Sequence, residues 1–189
     1  SGRLKKVTSF ASPDAGLETQ FSDYTEEGDP KTVIDPNGVV TTYTYEGRKV
    51  KTQARTVTGN VETTTFHYDD DKVAAIVYPE NNVEVFCYRT GAASAFPNCA
   101  GTLTSKLRWK AKAAALPVTT SNWSERVEYT YDSNGFFTDE KRWVSSESTE
   151  RYARHVNPDL HGRETFSRTG GLSSGQDFRV AAHFDGANN

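Results

Sequence analysis

Two aromatic residues separated by one residue, and usually followed by an acid, recur along this chain. The second aromatic residues of four copies lie 23, 20 and 43 positions apart, and the last interval is close to two ordinary ones. A period of this length is typical of repeat proteins, in which small supersecondary units stack on their neighbours. Stacked units of this kind build extended surfaces, so the pattern favours a structural role. The four copies are Tyr43-Thr44-Tyr45-Glu46, Phe66-His67-Tyr68-Asp69, Phe86-Cys87-Tyr88-Arg89 and Tyr129-Thr130-Tyr131-Asp132.

Weaker copies extend the pattern towards both ends of the sequence. Tyr24 and Tyr152 each lie 21 positions from the second aromatic residue of a stronger copy. Near the end of the chain, Phe184 is followed directly by Asp185. We therefore expect one repeat array over residues 1–189, interrupted by irregular inserts at about 89–121 and 163–177, where specific binding would lie.

The segments between the aromatic pairs alternate between strand-like and turn-like sequence. Residues 83–86 and 127–131 alternate with a period of two and are rich in β-branched and aromatic side chains, which predicts strands. Turn-forming residues lie between the strands, with Asp-Pro-Asn-Gly at 35–38 and Asp-Ser-Asn-Gly at 132–135. The best helical candidate, residues 110–115, is short and stops before Pro117. The sequence therefore predicts an all-β fold of stacked antiparallel hairpins in a curved sheet.

The bulk composition limits the classes of protein to which the chain can belong. Only 35% of the residues are hydrophobic and the mean hydropathy is −0.70, while 12% are aromatic, so burial depends on large rings. The formal net charge of −3 predicts neither a protein that wraps nucleic acid nor one that is strongly attracted to a membrane. No apolar stretch is long enough to span a bilayer. The chain contains no methionine, so we expect it to be a piece of a longer protein.

Two cysteines, Cys87 and Cys99, enclose a segment that is rich in loop-forming residues. A disulfide closing this loop would stabilise the fold by on the order of 3 kcal/mol and would indicate an oxidising compartment. The alternative is two thiols. We do not expect a metal site, because no histidine or further cysteine lies nearby to complete tetrahedral coordination.

The residues that could support catalysis form no recognisable constellation. The acids after the aromatic pairs recur with the repeat, so we expect them to cap turns rather than to act as acid and base. The four histidines are scattered without the spacing of a metal motif, and the sequence lacks a nucleophile elbow, a phosphate loop and a dinucleotide fingerprint. We therefore expect no enzymatic activity and no cofactor.

One segment next to the cysteine loop alternates basic and apolar residues. As a strand, this pattern gives one basic face and one apolar face. The basic face would either contact an acidic cargo, polymer or partner, or protect an edge strand from pairing with another sheet. The candidate residues for partner binding are Lys106, Arg108, Trp109, Lys110 and Lys112.

The chain resembles the YD-repeat family on three segments. Residues 129–135 match the signature Tyr-x-Tyr-Asp-x-x-Gly, and Gly2-Arg3-Leu4 resembles the Gly-Arg-Leu that usually follows it. Residues 35–45 resemble the family's turn into the next aromatic pair. These repeats occur in bacterial Rhs proteins, in the C component of insecticidal toxin complexes and in animal teneurins. The residues assigned to the repeat signature are Tyr43, Tyr45, Phe66, Tyr68, Asp69, Phe86, Tyr88, Tyr129, Tyr131, Asp132, Gly135, Phe184 and Asp185.

The resemblance implies both an architecture and a setting. In this family the repeats form a long β-sheet that spirals into a hollow shell, which often encloses a C-terminal toxin in bacterial members and forms a cell-surface scaffold in teneurins. The resemblance therefore implies a secreted or cell-surface protein whose partners are other repeats and domains of the same parent chain. The aspartate-based self-cleavage motif of the family is not found in this sequence, so no protease residues are assigned.

Two hypotheses for function follow. The first is a non-catalytic wall segment of a Rhs-type shell that encloses or presents a toxin or another domain. The alternative is a cell-surface adhesion or carbohydrate-binding module, in which exposed aromatic side chains such as Trp109, Trp123 and Trp143 would stack on sugars.

Overall fold

Among the residues that the structure describes, all regular secondary structure is β-strand. The computed structural model describes residues 2–12, 15–91, 99–118, 122–144, 152–159, 161–170 and 177–181. The chain divides into two compact units, Ser1–Asn81 and Asn82–Asn189. Within each unit the strands follow one another in the sheet in sequence order. The prediction of an all-β fold made of consecutive antiparallel hairpins is therefore confirmed.

The first unit is a series of hairpins with short connections. Its strands are β1 (Lys6–Ser12), β2 (Ala15–Tyr24), β3 (Pro30–Ile34), β4 (Val40–Glu46), β5 (Lys49–Val57), β6 (Asn60–Asp69) and β7 (Lys72–Val77). Two-residue turns join β4 to β5, β5 to β6 and β6 to β7. The first central residues of these turns, Gly47, Thr58 and Asp70, have φ values of 61°, 46° and 56°. A positive φ at this position matches the twist of the flanking strands, which explains why such short turns suffice.

The second unit contains longer connections. Its strands are β8 (Val83–Cys87), β9 (Trp109–Ala113), β10 (Trp123–Tyr131), β11 (Phe137–Val144), β12 (Tyr152–Pro158), β13 (Glu164–Gly170) and β14 (Asp177–Ala181). β8 and β9 pair along their full lengths although a long segment separates them in the sequence. The described residues at the two ends of that segment pair with each other as a small hairpin. In this hairpin Arg89 forms a bridge with Leu103, and Thr90 N–H donates to the carbonyl of Thr102 at 3.0 Å.

Three Asp-x-x-Gly turns share one hydrogen-bond arrangement. After β10, the N–H of Asp132 donates to the carbonyl of Phe136 at 2.9 Å, and the N–H of Gly135 donates to the carbonyl of Asp132 at 3.0 Å. The Oδ1 atom of Asp132 also accepts from the N–H groups of Asn134 and Phe136, at 2.9 and 2.8 Å. Gly135 has a φ of 82°, which a residue without a Cβ adopts at little cost. The same bonds occur in the turns that begin at Asp35 and Asp159.

The register of the sheet shifts at the second aromatic residue of three of the four stronger copies. Tyr45 on β4 pairs with Val50, whereas the residue before it pairs with Thr52, so Lys51 is an extra residue on β5. An extra residue of this kind bends its strand and increases the local right-handed twist. The repeat therefore specifies both a hairpin and a local distortion of that hairpin. The same shift occurs at Tyr68 and at Tyr131.

Buried apolar side chains are concentrated in the second unit. One face of β8–β10 carries most of them, and Val85 on β8 is completely buried. The loop after β9 contributes Val118, which is 2% exposed. Among the described residues of the first unit, only Ala74 and Ala75 belong to the buried apolar set. The buried residues on this face of the second unit are Val83, Val85, Cys87, Trp109, Ala111, Ala113 and Trp123.

The two predicted inserts contain more regular structure than expected. Within 163–177, residues 164–170 form β13, which pairs with both β12 and β14, and 171–176 lie outside the described residues. Small residues in this segment conceal the alternation that would have indicated a strand. Within 89–121, residues 109–113 form β9, so the short helical candidate at 110–115 is wrong. Pairing with strands on both sides satisfies the backbone of β9, which a helix of one or two turns could not match in stability.

Candidate interaction surface

The second aromatic residue of three copies fastens its strand to the strand before it. Tyr45, Tyr68 and Tyr131 each donate their hydroxyl hydrogen bond to a backbone carbonyl, an arrangement that we call the tyrosine tie. Burial is the leading cause of a raised pKa in all three phenols, so they remain neutral donors over the physiological pH range. The acceptors are Pro30 at 2.7 Å, Val50 at 2.8 Å and Leu107 at 2.9 Å.

Basic side chains lie over the rings of two of these residues, Tyr68 and Tyr131. Lys49 Nζ lies 5.6 Å from the ring centroid of Tyr68. Lys106 and Arg108 lie over the ring of Tyr131, at 5.7 and 5.3 Å. A cation at this distance is attracted to the ring and covers part of it, which leaves less of the ring for stacking on a sugar. The arrangement therefore favours a structural role for these tyrosines. A weaker copy has the same contact, with Arg3 5.4 Å from the ring of Tyr24.

The first aromatic residues of the copies lie among neighbouring side chains on the sheet. The ring of Tyr43 is 6.4 Å from that of Tyr45, and the ring of Tyr129 is 6.4 Å from that of Phe137. Both distances lie in the range of favourable aromatic pairs. The remaining first positions are Phe66, which pairs with Ile76, and Phe86, which pairs with Lys110.

The acids after the aromatic pairs do not share one role. Asp132 caps its own turn through the bonds described above, as the sequence predicted. Asp69 instead pairs with Lys72 across a two-residue turn, and Glu46 lies 3.6 Å from Lys51. Arg89, which replaces the acid after Tyr88, donates to the carbonyl of Gly101 at 3.0 Å and so belongs to the small hairpin. The predictions for Phe184 and Asp185 lie outside the described residues.

The side chains of the basic segment around β9 lie in different environments. Lys106 and Arg108 lie over Tyr131, whereas Trp109 is only 4% exposed and belongs to the core. Lys110 and Lys112 lie on the opposite face of β9 from Trp109, because side chains alternate along a strand. The five residues predicted to bind a partner therefore do not form one continuous surface.

Lys112 is part of a ladder of opposite charges across four strands. Its Nζ atom lies 3.8 Å from Glu84 Oε1 on β8 and 3.4 Å from Glu125 Oε2 on β10. Arg142 on β11 continues the ladder, 3.6 Å from Glu125 and 3.4 Å from Glu140. These side chains are partly exposed, so each pair stabilises the sheet by less than about 1 kcal/mol. The sequence analysis missed this ladder because it depends on the register of strands that are distant in sequence.

Lys110 has different neighbours, although it lies only two residues from Lys112. Across the strands it pairs with Phe86 on β8 and with Val127 on β10. A depression with about 350 Å³ of open space, including its mouth, lies over this part of the sheet. We call this surface the Lys110 face; its lining residues are Glu84, Phe86, Lys110, Ala111, Lys112, Glu125 and Val127.

The tryptophans proposed for sugar stacking are not available as an exposed platform. Trp109 and Trp123 are 4% and 7% exposed, so the prediction that they are exposed is wrong. They fill the apolar face of β8–β10, where a large ring excludes more water than any aliphatic side chain could. Trp143 is half-buried, and the guanidinium of Arg126 lies 5.3 Å from its ring centroid.

The disulfide predicted between Cys87 and Cys99 is not formed in the structure. Cys87 is buried on the core face of β8, and Cys99 is half-buried in the small hairpin. The disulfide between them therefore stays a prediction.

A polar cluster connects β10, β11 and β12. Thr130 donates to Asp139 Oδ2 at 2.7 Å, and Asp139 Oδ1 lies 2.7 Å from His155 Nδ1. The other ring nitrogen of His155 lies 3.0 Å from the side-chain oxygen of Asn157. Burial opposes ionisation of Asp139, but the hydrogen bonds from Thr130, His155 and Thr138 outweigh it and lower the pKa of Asp139. Each member has a partner within the cluster, so these side chains stabilise the pairing of the three strands.

Two other kinds of site are absent from the described part of the chain. No three side chains of His, Cys, Asp or Glu in these residues are arranged to hold a metal ion. None of the described segments is a helix long and apolar enough to cross a membrane.

Comparison with known proteins identifies relatives by fold only. No protein-family model and no curated protein matches the chain. Two solved structures, of TcdB2-TccC3-Cdc42 and of TcdB2-TccC3-TEV, are similar to it, with TM-scores of 0.56 and 0.55. Their sequences are 10% and 11% identical to this one over 89% of the chain. The chain spans only 10% of the length of those chains. At this identity the likeness concerns the fold alone: the chain shares the fold of a segment of the TcdB2-TccC3 structures.

Proposed function

We propose that this chain is a non-catalytic wall segment of a Rhs-type YD-repeat shell that encloses or presents another domain, such as a toxin. The observation that carries the proposal is the recurrence of one device, a short turn with a register shift and a tyrosine tie, in both units. A structural role predicts such repetition, because each hairpin must be fastened to its neighbour. The YD-repeat resemblance and the fold shared with the TcdB2-TccC3 structures support the same role.

The wall would act by steric exclusion. A sheet in which every strand pairs with its neighbours leaves no gap through which a protease or an unfolded chain could pass. The tyrosine ties strengthen this pairing at the turn end of the hairpins, where strands otherwise fray. The parent would be a secreted or cell-surface protein, and the partners of this segment would be other repeats and domains of the same chain.

Protease protection tests this function. In the longer protein, we expect the enclosed domain to resist digestion while the isolated domain is cut rapidly. The substitution Tyr131→Ala removes one tie and its ring contacts, so it should expose the enclosed domain to cleavage. Val61→Ala, at a position that is 64% exposed, is the matched control and should leave protection unchanged. Equal rates of cleavage for the enclosed and isolated domains would contradict the proposal.

A sugar-binding module is not favoured by any observation on the described residues. Two of the three tryptophans that suggested it are buried, and the rings of Tyr68 and Tyr131 are partly covered by cations. A glycan-array screen is the direct measurement, and we expect no signal above that of the Trp143→Ala variant.

A further inference from the structure

The Lys110 face contains two neighbouring lysines, one with acidic neighbours and one with uncharged neighbours. Lys112 lies between the carboxylates of Glu84 and Glu125 and is neutralised by both. Lys110 lies between Phe86 and Val127, which carry no charge. Side chains two apart on a strand are on the same face, so the two rows lie side by side. Among the described residues, no carboxylate lies within ion-pair distance of Lys110, whereas two lie near Lys112.

The apolar neighbours of Lys110 border the depression. Phe86 is half-buried and lines the depression together with Lys110, so the site offers an apolar ring beside an ammonium group. A ligand group that fits must combine a short apolar stem with one negative charge. A glutamate side chain has this composition, with two methylene groups and a carboxylate.

The flanking glutamates exclude another class of ligand. Glu84 and Glu125 line the same depression, one on each side of Lys112. A polymer with a negative charge at every unit, such as a nucleic acid or a sulfated polysaccharide, would bring further charges close to these carboxylates and be repelled. An extended polypeptide presents alternate side chains about 7 Å apart, so it can place one carboxylate on Lys110 and neutral residues beside Glu84 and Glu125.

We propose that the Lys110 face binds an extended polypeptide segment by one acidic side chain, with the carboxylate on Lys110 and the stem against Phe86. The site gives the basic part of β9 a recognition role that sheet pairing does not require. The proposal does not depend on the wall function, since a partner could bind this face whether or not the sheet belongs to a shell.

A double-mutant cycle with a defined probe tests the proposal. The probe is the peptide acetyl-Thr-Val-Glu-Val-Thr-amide, and its partner is the same peptide with Gln in place of Glu. Binding is measured by NMR titration of the ¹⁵N-labelled chain, up to about 5 mM peptide because single-contact affinities are weak. We expect the Glu peptide to bind about fivefold more tightly than the Gln peptide and to shift the amide signals of Phe86, Lys110 and Val127.

Two variants separate a specific contact from general electrostatics. Lys110→Gln should abolish the fivefold preference for the Glu peptide. Lys141→Gln removes the same charge from the opposite face of the second unit's sheet, where Lys141 pairs with Glu128, and should leave the preference unchanged. Glu125→Gln should tighten binding of the Glu peptide, because it removes a competing carboxylate.

The outcomes that overturn the proposal are distinct from failure of the wall function, which the protease experiment measures. Equal loss of preference in Lys110→Gln and Lys141→Gln would show non-specific attraction. No binding at about 5 mM, or no preference for the Glu peptide, would remove the site. Tighter binding of heparin or single-stranded DNA than of the Glu peptide, lost in Lys110→Gln, would show that the ligand is a polyanion.

Discussion

The two units use the same hairpin device but obtain their stability differently. In the first unit, two-residue turns connect the strands from β4 to β7, and only Ala74 and Ala75 among its described residues belong to the buried apolar set. In the second unit, the strand β9 arises from within a predicted insert, and it brings Trp109, Ala111 and Ala113 onto a buried face. The repeat therefore supplies pairing, and the departure from the repeat completes the apolar core.

This difference has a physical origin. Hairpin pairing requires only alternation of polar and apolar residues and suitable turns, which a sequence with few apolar residues can provide. An apolar core requires large side chains that are covered on both sides, and one sheet face alone cannot cover itself. The loop after β9 contains the buried apolar residue Val118, and the two-residue turns of the first unit are too short to contribute residues in this way. Substitutions that disturb one unit and spare the other should therefore separate the contribution of strand pairing from that of the apolar core.

The largest expected effect is that of Trp109→Ala. Removal of this buried ring from the core of the second unit should lower its free energy of unfolding by about 3–5 kcal/mol. Val61→Ala in the first unit is the control, and a change below about 0.5 kcal/mol is expected because Val61 is 64% exposed. Urea denaturation followed by tryptophan fluorescence and by circular dichroism measures both. Comparable losses in the two variants would remove the distinction between the units.

A turn glycine gives the next largest effect. Gly162 has a φ of 78°, and a Cβ at this position would lie 2.5 Å from the ring of Phe136. We expect Gly162→Ala to destabilise the second unit by about 2–3 kcal/mol, from backbone strain and steric overlap together. Gly135→Ala has a similar φ of 82° but its nearest neighbour is Lys106 Cε at 3.6 Å, so it should cost only about 1 kcal/mol. Equal thermal shifts for the two variants would show that adjacent turns do not pack on each other.

The tyrosine ties should contribute equally in both units. Tyr68→Phe and Tyr131→Phe each remove one hydroxyl bond to a backbone carbonyl, and each should lower the free energy of unfolding of its unit by about 1 kcal/mol. Tyr43→Phe is the control, since no hydrogen bond of its hydroxyl is found within the described residues, and it should have almost no effect. Chemical denaturation resolves these differences, and a large effect in only one unit would contradict a shared role for the repeat.

The smallest expected effect is a pH-dependent one in the second unit. The pKa of Asp139 is lowered in the folded state, so the group stabilises the fold above its unfolded value of about 3.9 and loses this contribution as pH falls through the folded pKa. Asp139→Asn should therefore destabilise the second unit by less than about 1 kcal/mol at pH 6, because the cluster is partly exposed. The difference should shrink on acidification to about pH 3. A difference that persists unchanged would exclude the carboxylate as its source.

The sequence predicts the parts of this structure that depend on local pattern. Alternation and the Asp-x-x-Gly spacing are sufficient for the all-β fold, and the turn-capping bonds of Asp132 follow from side-chain chemistry within five residues. The register between strands that are distant in sequence could not be predicted from local pattern. The charge ladder from Glu84 to Arg142 and the burial of Trp109 depend on which strands lie side by side.

Native-state hydrogen exchange tests the central claim most directly, because it measures the opening free energy of each strand separately. The account predicts that backbone amides paired within β8–β10 exchange at least about tenfold more slowly than those paired within β4–β6, since opening the former exposes the buried face around Val85 and Trp109. Equal protection in the two sets, or slower exchange in β4–β6, would contradict the claim that the repeat supplies pairing while the departure from it completes the core.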